Sequence, residues 1–365
     1  MLHERYLPNG LSENLGRVYS AKLRLVEWLL RTPPIELNDN TILVRHFGPE
    51  LGKWLWDRIR RAETRTTFGK AVLALAAQAH ANPAQASLVA DAIVHDSQFH
   101  TQWDLVGQEL RFPRLYPDWL DGIRDIAIPF YDWLASTGFE PEPFALTDGR
   151  IDRATVMGAF RSQSPSVCGY CDGPLGERGS QHEANDCDHF FPKSQWPHLA
   201  IHPANLFSAC KGCNSTWKLA RVPMGEADAS GLNNTYHPML RPGASSVVVS
   251  AAISPTNSRQ VEINITDPTV PRRAETLVAT LDLECRWANS VNDVLDRGIS
   301  MLVAKSARDK SYGWQPDADS VRLLIEDDIE WKRAQLGKEE RCIRHIAVLE
   351  CMYRDLLHEV IAELA

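Results

Sequence analysis

Two Cys-x-x-Cys pairs, Cys168-Gly-Tyr-Cys171 and Cys210-Lys-Gly-Cys213, stand 38 residues apart, and they constrain this chain more than anything else in it. Each pair offers two thiolates from one tight turn, and four thiolates fill the tetrahedral shell of a single zinc ion with no position left for water. A closed site of this kind does no chemistry; it pins two remote points of the chain together. Disulfides are the competing account. They require an oxidising compartment, and the opening residues Met1-Leu-His-Glu-Arg-Tyr lack the apolar stretch of a signal peptide. His182 and Cys187 are alternative members of the ligand set.

The segment between the pairs reads Asp188-His189-Phe190-Phe191-Pro192-Lys193-Ser194, then Asn205-Leu206-Phe207, and the second pair runs on through Asn214 to Lys218. These are the residue types of metal-assisted phosphodiester cleavage. A phosphodiester is anionic and repels hydroxide, so its hydrolysis needs a cation on the phosphate and a base that makes the nucleophile in place. Asp188 is a hard oxygen ligand suited to Mg²⁺. His189 carries an imidazole that can take a proton from water near neutral pH. Neighbours on a strand point to opposite faces, so the two side chains converge only if the strand ends there, as Phe190-Phe191-Pro192 suggests. A helix starting at Asn214 sets Asn214 and Lys218 on one face, with Asn214 toward the metal and Lys218 toward a phosphate or solvent. Asn205 has an amide able to brace the His189 loop. Singly, each of these residues has an ordinary reading as a turn acid, a packed imidazole, a cap or a turn amide; in this order between two knuckles they read as a site.

The pattern resembles the HNH endonuclease family, also called ββα-metal or His-Me finger nucleases, in its four-cysteine form. The resemblance covers about 55 residues of the chain and rests on Asp188-His189, Asn205 after 16 residues and Asn214 after a further 9. It implies His189 as general base, Asp188 as metal ligand, Asn205 as the brace of the base loop and Asn214 as the last metal ligand, often a His in the family. It further implies a catalytic Mg²⁺ or Mn²⁺, a structural zinc on Cys168, Cys171, Cys210 and Cys213, and DNA as the partner. More loosely, a hairpin followed by Ala274-Glu275-Thr276-Leu277 and Leu281-Asp282-Leu283 is similar to larger bacterial HNH proteins of anti-phage defence. That likeness implies an effector working beside a separate ATPase or sensor.

A net charge of −8 argues against nucleic acid only as a sum, because residues 1–70 hold 12 Lys plus Arg against 8 Asp plus Glu. The central segment is balanced, so any surface that tracks phosphates is lent by its flanks. Arg58, Arg60, Arg61 and Arg65 are candidates for a backbone contact or for a solvated helix end. No apolar run reaches the length of a membrane span, and the expected location is the cytoplasm. No Gly-rich phosphate loop with Lys and no nucleophile elbow is present, which turns the reading away from an intrinsic ATPase or serine hydrolase.

The expected fold class is α+β: a mainly helical protein around a central zinc-stapled ββα-metal module. Apolar periodicity predicts helices over 12–31, 48–66, 69–81, 84–97, 101–110 and 117–136, packed through Trp103, Trp119, Phe130, Tyr131 and Trp133. Residues 1–137 form a helical domain of unknown role, 138–150 a linker, 151–268 the nuclease module, and 269–365 a helical region. The module begins with a short helix over 152–161. A hairpin over 247–265 is placed to extend its sheet. The last part is expected to be helical over 272–307 with a break near Gly298, then 317–334 and 338–364.

Overall fold

Helix α1, Asn9–Arg31, follows from a stripe of apolar residues at helical spacing: Leu15, Val18, Leu25, Val26, Leu29 and Leu30 are all buried, and the helix stops ahead of Pro33-Pro34. The structure is a computed structural model and describes residues 2–4, 6–34, 37–61, 64–105, 108–162, 167–173, 175, 185–221, 232–254, 257–290, 300, 304, 318–336 and 342–358. Around α1 pack α4 (Thr67–Ala81), α5 (Pro83–Ser97) and α6 (Leu120–Ser136), with α2 (Thr41–Phe47) paired to α3 (Pro49–Ile59) at the side. Asn82 separates α4 from α5, whose first residue is Pro83, where the missing N–H costs nothing. Pro129 lies inside α6.

Two expected helices differ. The helix over 48–66 ends at Ile59, because Thr66 claims its last carbonyls: the hydroxyl donates to the Arg58 carbonyl at 2.7 Å and the N–H to the Ile59 carbonyl at 3.1 Å. The same hydroxyl accepts from Gly69 N at 3.0 Å and caps α4, while β1 (Arg60–Arg61) and β2 (Thr64–Arg65) fold back as a minimal hairpin. Arg58 lies over Trp54 and Trp133, and Arg60 over Trp56, so these two guanidiniums stack on the protein's own rings. The described residues of 101–110 are turns and irregular chain. Tertiary partners take the backbone groups here: Arg241 donates to the Trp103 carbonyl at 3.1 Å, and the Asp96 carboxylate accepts from the N–H groups of Arg111 and Phe112 at 2.7 and 2.8 Å.

Residues 138–150 hold a short helix, α7 (Pro141–Phe144), and bury Phe139 and Phe144, with Phe139 bridged to Ile151. Helix α8 (Arg153–Ser162) leads to the first knuckle. Strands β3 (Asn185–His189) and β4 (Leu206–Cys210) pair antiparallel, with Asn185 opposite Cys210 and His189 opposite Leu206. The later hairpin, β5 (Val248–Ser254) and β6 (Asn257–Thr266), does not extend them; it forms its own two-stranded sheet because its partners are helices, α9 (Pro271–Leu281) against β6 and α12 (Cys342–Cys351) against β5. Helix α9 ends at Asp282, in the left-handed conformation at φ 51°, and α10 resumes over 283–290; the expected break near Gly298 lies outside the described residues. Helix α11 (Ala318–Ala334) packs on α12. The protein is mostly helical with small two-stranded sheets, an α+β composition, and one continuous core joins the N-terminal helices, the first knuckle and the C-terminal helices.

Two polar features sit inside that core. His198, His202 and His237 are all buried, and His237 lies 4.3 Å from the Phe190 ring and 4.8 Å from Trp103 between centroids. Lys22, on the buried face of α1, donates to the carbonyl of His198. At the first knuckle, Asp172 accepts from the backbone N–H of Ile343 at 2.9 Å and pairs with the His3 ring at 2.7 Å. The N–H groups of Leu2 and His3 both donate to the Gly169 carbonyl, so the start of the described chain and α12 meet on one turn.

Candidate metal centre and adjoining cleft

The sulfurs of Cys168, Cys171, Cys210 and Cys213 all lie within 4.8 Å of one another. The β3–β4 register returns Cys210 beside the first knuckle, and Cys171 Sγ is 3.8 Å from Cys210 Sγ. A tetrahedron with Zn–S of about 2.3 Å has edges of about 3.8 Å, so the residues fit the ion. Donors converge on the sulfurs: Cys210 N–H on Cys168 at 3.3 Å, Cys213 N–H on Cys210 at 3.4 Å, and both terminal nitrogens of Arg286 on Cys213 at 3.4 and 3.5 Å. Such donors favour thiolates, and Arg286 of α10 is a member of the surround that spacing rules cannot find. The cluster can hold a structural zinc, and all four cysteines are free of disulfides. Cys187 lines the cleft described below, and His182 lies outside the described residues.

Asp188 and His189 close strand β3, and the chain turns away at once, with Phe190 N–H on the Asn205 carbonyl at 2.9 Å and Trp196 N–H on the Pro192 carbonyl at 2.8 Å. Both side chains border one cleft of about 400 Å³. Asn205 lies behind it, fully buried; its amide nitrogen donates to the carbonyls of Leu199 (2.9 Å) and Phe191 (3.2 Å), and its oxygen accepts from Phe191 N at 2.7 Å. One residue thus ties the chain after His189 to the 197–202 loop. That loop presents the Ala200 carbonyl to His189 Nε2 at 2.8 Å, so Nε2 bears the proton and the lone pair is on Nδ1. Burial, with the charges of Lys193 and Lys218, pushes His189 down to about 3 and keeps the ring neutral.

The turn carrying Asn214 and Lys218 is π-helical, Gly212–Lys218, where an α-helix was expected; the Leu219 N–H reaches the Asn214 carbonyl five residues back at 3.1 Å. This wider turn also sets both residues at the cleft. Lys218, expected to meet phosphate or solvent, is fully buried. Its ammonium lies 3.3 Å from each Asp188 oxygen and donates to the His189 carbonyl at 2.6 Å. The Tyr170 hydroxyl, from the first knuckle, donates to Asp188 Oδ2 at 2.6 Å. Burial raises the Asp188 carboxyl above its usual range, opposed by the Lys218 charge and the Tyr170 bond. The Tyr170 hydroxyl, the Lys218 ammonium and the His189 N–H all bond the Asp188 carboxylate, so most of the about four acceptor positions of a carboxylate are taken. Asn214 lines the same cleft, so two oxygen-bearing side chains, of the donor type that Mg²⁺ takes, border it.

Tyr131, Lys193 and Arg153 are among the further residues that line this cleft. Tyr131 of α6, grouped with the core by its aromatic neighbours, meets the His189 ring at 4.6 Å between centroids, and Lys193 Nζ stands 4.0 Å from the centroid of the Tyr131 ring. Arg153 opens α8 at the same rim. A run such as Phe130-Tyr131-Asp132-Trp133 gives no periodicity that separates core from cleft, while Lys193, four residues after His189, is legible from the sequence as a weaker candidate for a phosphate contact than Lys218. Arg221, by its place after Lys218 another weak candidate for a phosphate contact, donates to the Thr280 carbonyl at 3.4 Å. Among the described residues no helix is long and apolar enough to cross a membrane. No protein-family model, curated protein or solved structure gives a significant match to the chain.

Proposed function

We propose that this protein is a metal-dependent DNA endonuclease of the HNH type, hydrolysing phosphodiester bonds with His189 as general base. One observation carries the reading: a neutral imidazole with its Nε2 proton committed to the Ala200 carbonyl shares a cleft with Asp188 and Asn214, beside a four-cysteine cluster. In this mechanism Nδ1 of His189 takes a proton from water, and the Ala200 carbonyl stabilises the imidazolium that forms. Asn205 keeps that carbonyl in range by holding the 197–202 loop. Lys218 and Tyr170 keep Asp188 ionised and oriented. Asp188 and Asn214 would hold Mg²⁺ or Mn²⁺, which when bound supplies Lewis acidity to the phosphate and the departing 3′ oxygen. In-line attack leaves 5′-phosphate and 3′-hydroxyl ends. Zinc on the four cysteines serves the fold. The loose likeness to defence proteins extends the proposal to an effector that acts beside a separate ATPase or sensor.

A second reading, a zinc-stapled DNA-binding or adaptor module without cleavage, is favoured by the Lys218 ammonium, which already compensates Asp188. Incubation of supercoiled plasmid with the protein and Mg²⁺ or Mn²⁺ separates the two. Nicked or linear product that disappears with His189→Ala supports the nuclease. Equal cutting by the variant removes His189 from the mechanism, and metal-independent binding without cutting, indifferent to Asp188→Ala and Asn214→Ala, establishes the adaptor.

A further inference from the structure

We infer that Arg153 and Lys193 form a clamp for the phosphates of a nucleic-acid backbone at the mouth of the His189 cleft. The inference takes its ligand class from the proposed nuclease but stands on a separate observation, the charge balance of the cleft. Among the described lining residues Asp188 is the one carboxylate, and Lys218 already compensates it. Arg153 and Lys193 therefore line the cleft as two cations without a contact ion pair, in a protein whose net charge is −8. Neither makes an ion pair among the described residues.

Lys193 is half-buried, and the repulsion of Arg153 adds to burial in pushing its ammonium below the usual range, while Asp132 acts against both. The Nε–H of Arg153 is sealed from solvent without an acceptor. Two like charges held together this way are stabilised by an anion between them, and guanidinium and ammonium are the groups that phosphate oxygens accept from. Lys193 is also held in register with the base, since Tyr131 touches both its ammonium and the His189 ring. A backbone phosphate on Lys193 and Arg153 thus brings its neighbour toward Nδ1 of His189. The contact reads charge and carries no base information.

The test is salt-dependent binding of a labelled 20-nucleotide DNA, single-stranded and duplex, to the zinc-loaded protein without added Mg²⁺, compared across Arg153→Gln, Lys193→Gln and the double variant. Each lost contact should lower the slope of log Kd against log [KCl] by about 0.7 to 0.9, alike for scrambled sequences. Lys70→Gln, on the exposed face of α4, removes the same charge elsewhere and should leave the slope alone. Arg153→Lys and Lys193→Arg should retain it, which separates charge from folding. Unchanged slopes in the Gln variants, or an equal drop in Lys70→Gln, overturn the clamp. Plasmid cleavage with Mg²⁺ reports separately: a protein that cuts while the Gln variants keep the wild-type KM refutes the clamp and leaves the nuclease standing, whereas the expected slopes without cutting refute the nuclease and leave the clamp.

Discussion

Acidification from pH 7 to pH 5 should cost the fold about 2 kcal/mol through His237 alone. The ring is fully buried between Phe190 and Trp103, and its Nδ1 accepts from the N–H groups of Met239 and Leu240 at 3.1 and 3.2 Å. Protonation at Nδ1 breaks both bonds and buries a charge, and burial pushes His237 down to about 3. At pH 7 the ring is neutral in the folded and the unfolded chain, so it contributes nothing to the difference. Below about 6.5 the unfolded chain takes up a proton that the fold refuses, and stability falls by about 1.4 kcal/mol per pH unit toward pH 3. His189 follows the same course, and burial lowers His198 and His202 in the same direction. Urea unfolding of the zinc-loaded protein at pH 7, 6 and 5, beside His237→Asn, isolates the one residue. The Asn side-chain oxygen can accept the same two N–H bonds and does not titrate, while protonation of the cysteines and the other histidines is common to both proteins. The variant should gain about 2 kcal/mol on the wild type between pH 7 and pH 5. Parallel pH profiles would mean that the folded protein protonates His237 freely, and the account of a neutral core would be wrong.

Lys218→Met should cost about 3 to 5 kcal/mol of unfolding free energy, read from urea denaturation, by leaving Asp188 buried without its cation, and Asp188→Asn in the same chain should recover most of the loss. Asn205→Ala strands an N–H and two carbonyls, each worth about 1 to 3 kcal/mol, and should appear as a lowered Tm together with loss of any His189-dependent cutting. Chelation should release one zinc per chain, measured by a colorimetric metal assay, and abolish near-UV circular dichroism in the same step, because a structural zinc carries on the order of 10 kcal/mol of folding free energy. Thr66→Ala should cost about 1 kcal/mol in thermal unfolding through the lost cap of α4.

Local rules made much of the fold legible. The spacing of Leu15, Val18, Leu25 and Leu29 marks α1, Asn82-Pro83 marks the break between α4 and α5, and the two Cys-x-x-Cys turns mark a cluster that the structure closes to within 4.8 Å. What stayed hidden depends on contacts distant in sequence. Nothing near Thr66 says that its hydroxyl will end α3, and nothing near Trp103 says that Asp96 and Arg241 will take backbone groups from its stretch. In the cleft, Asp188, His189 and Asn214 are readable as motif positions, whereas Lys218 as the partner of Asp188 and Tyr131 as the wall beside His189 follow only from how α6 and the π turn pack. Arg286, which reaches the sulfurs from α10, is 73 residues beyond Cys213.

The turn at Asp172 joins three stretches that are far apart along the polypeptide: the segment holding His3, the first pair of cysteines, and the start of α12 at Ile343. Loading of a zinc ion on the four cysteines should therefore order both outer stretches along with the knuckle. Demetallation should speed amide hydrogen exchange at Leu2, His3 and Ile343 together, as a single cooperative unit, and a bulky fusion placed directly ahead of His3 should weaken zinc retention from a distance.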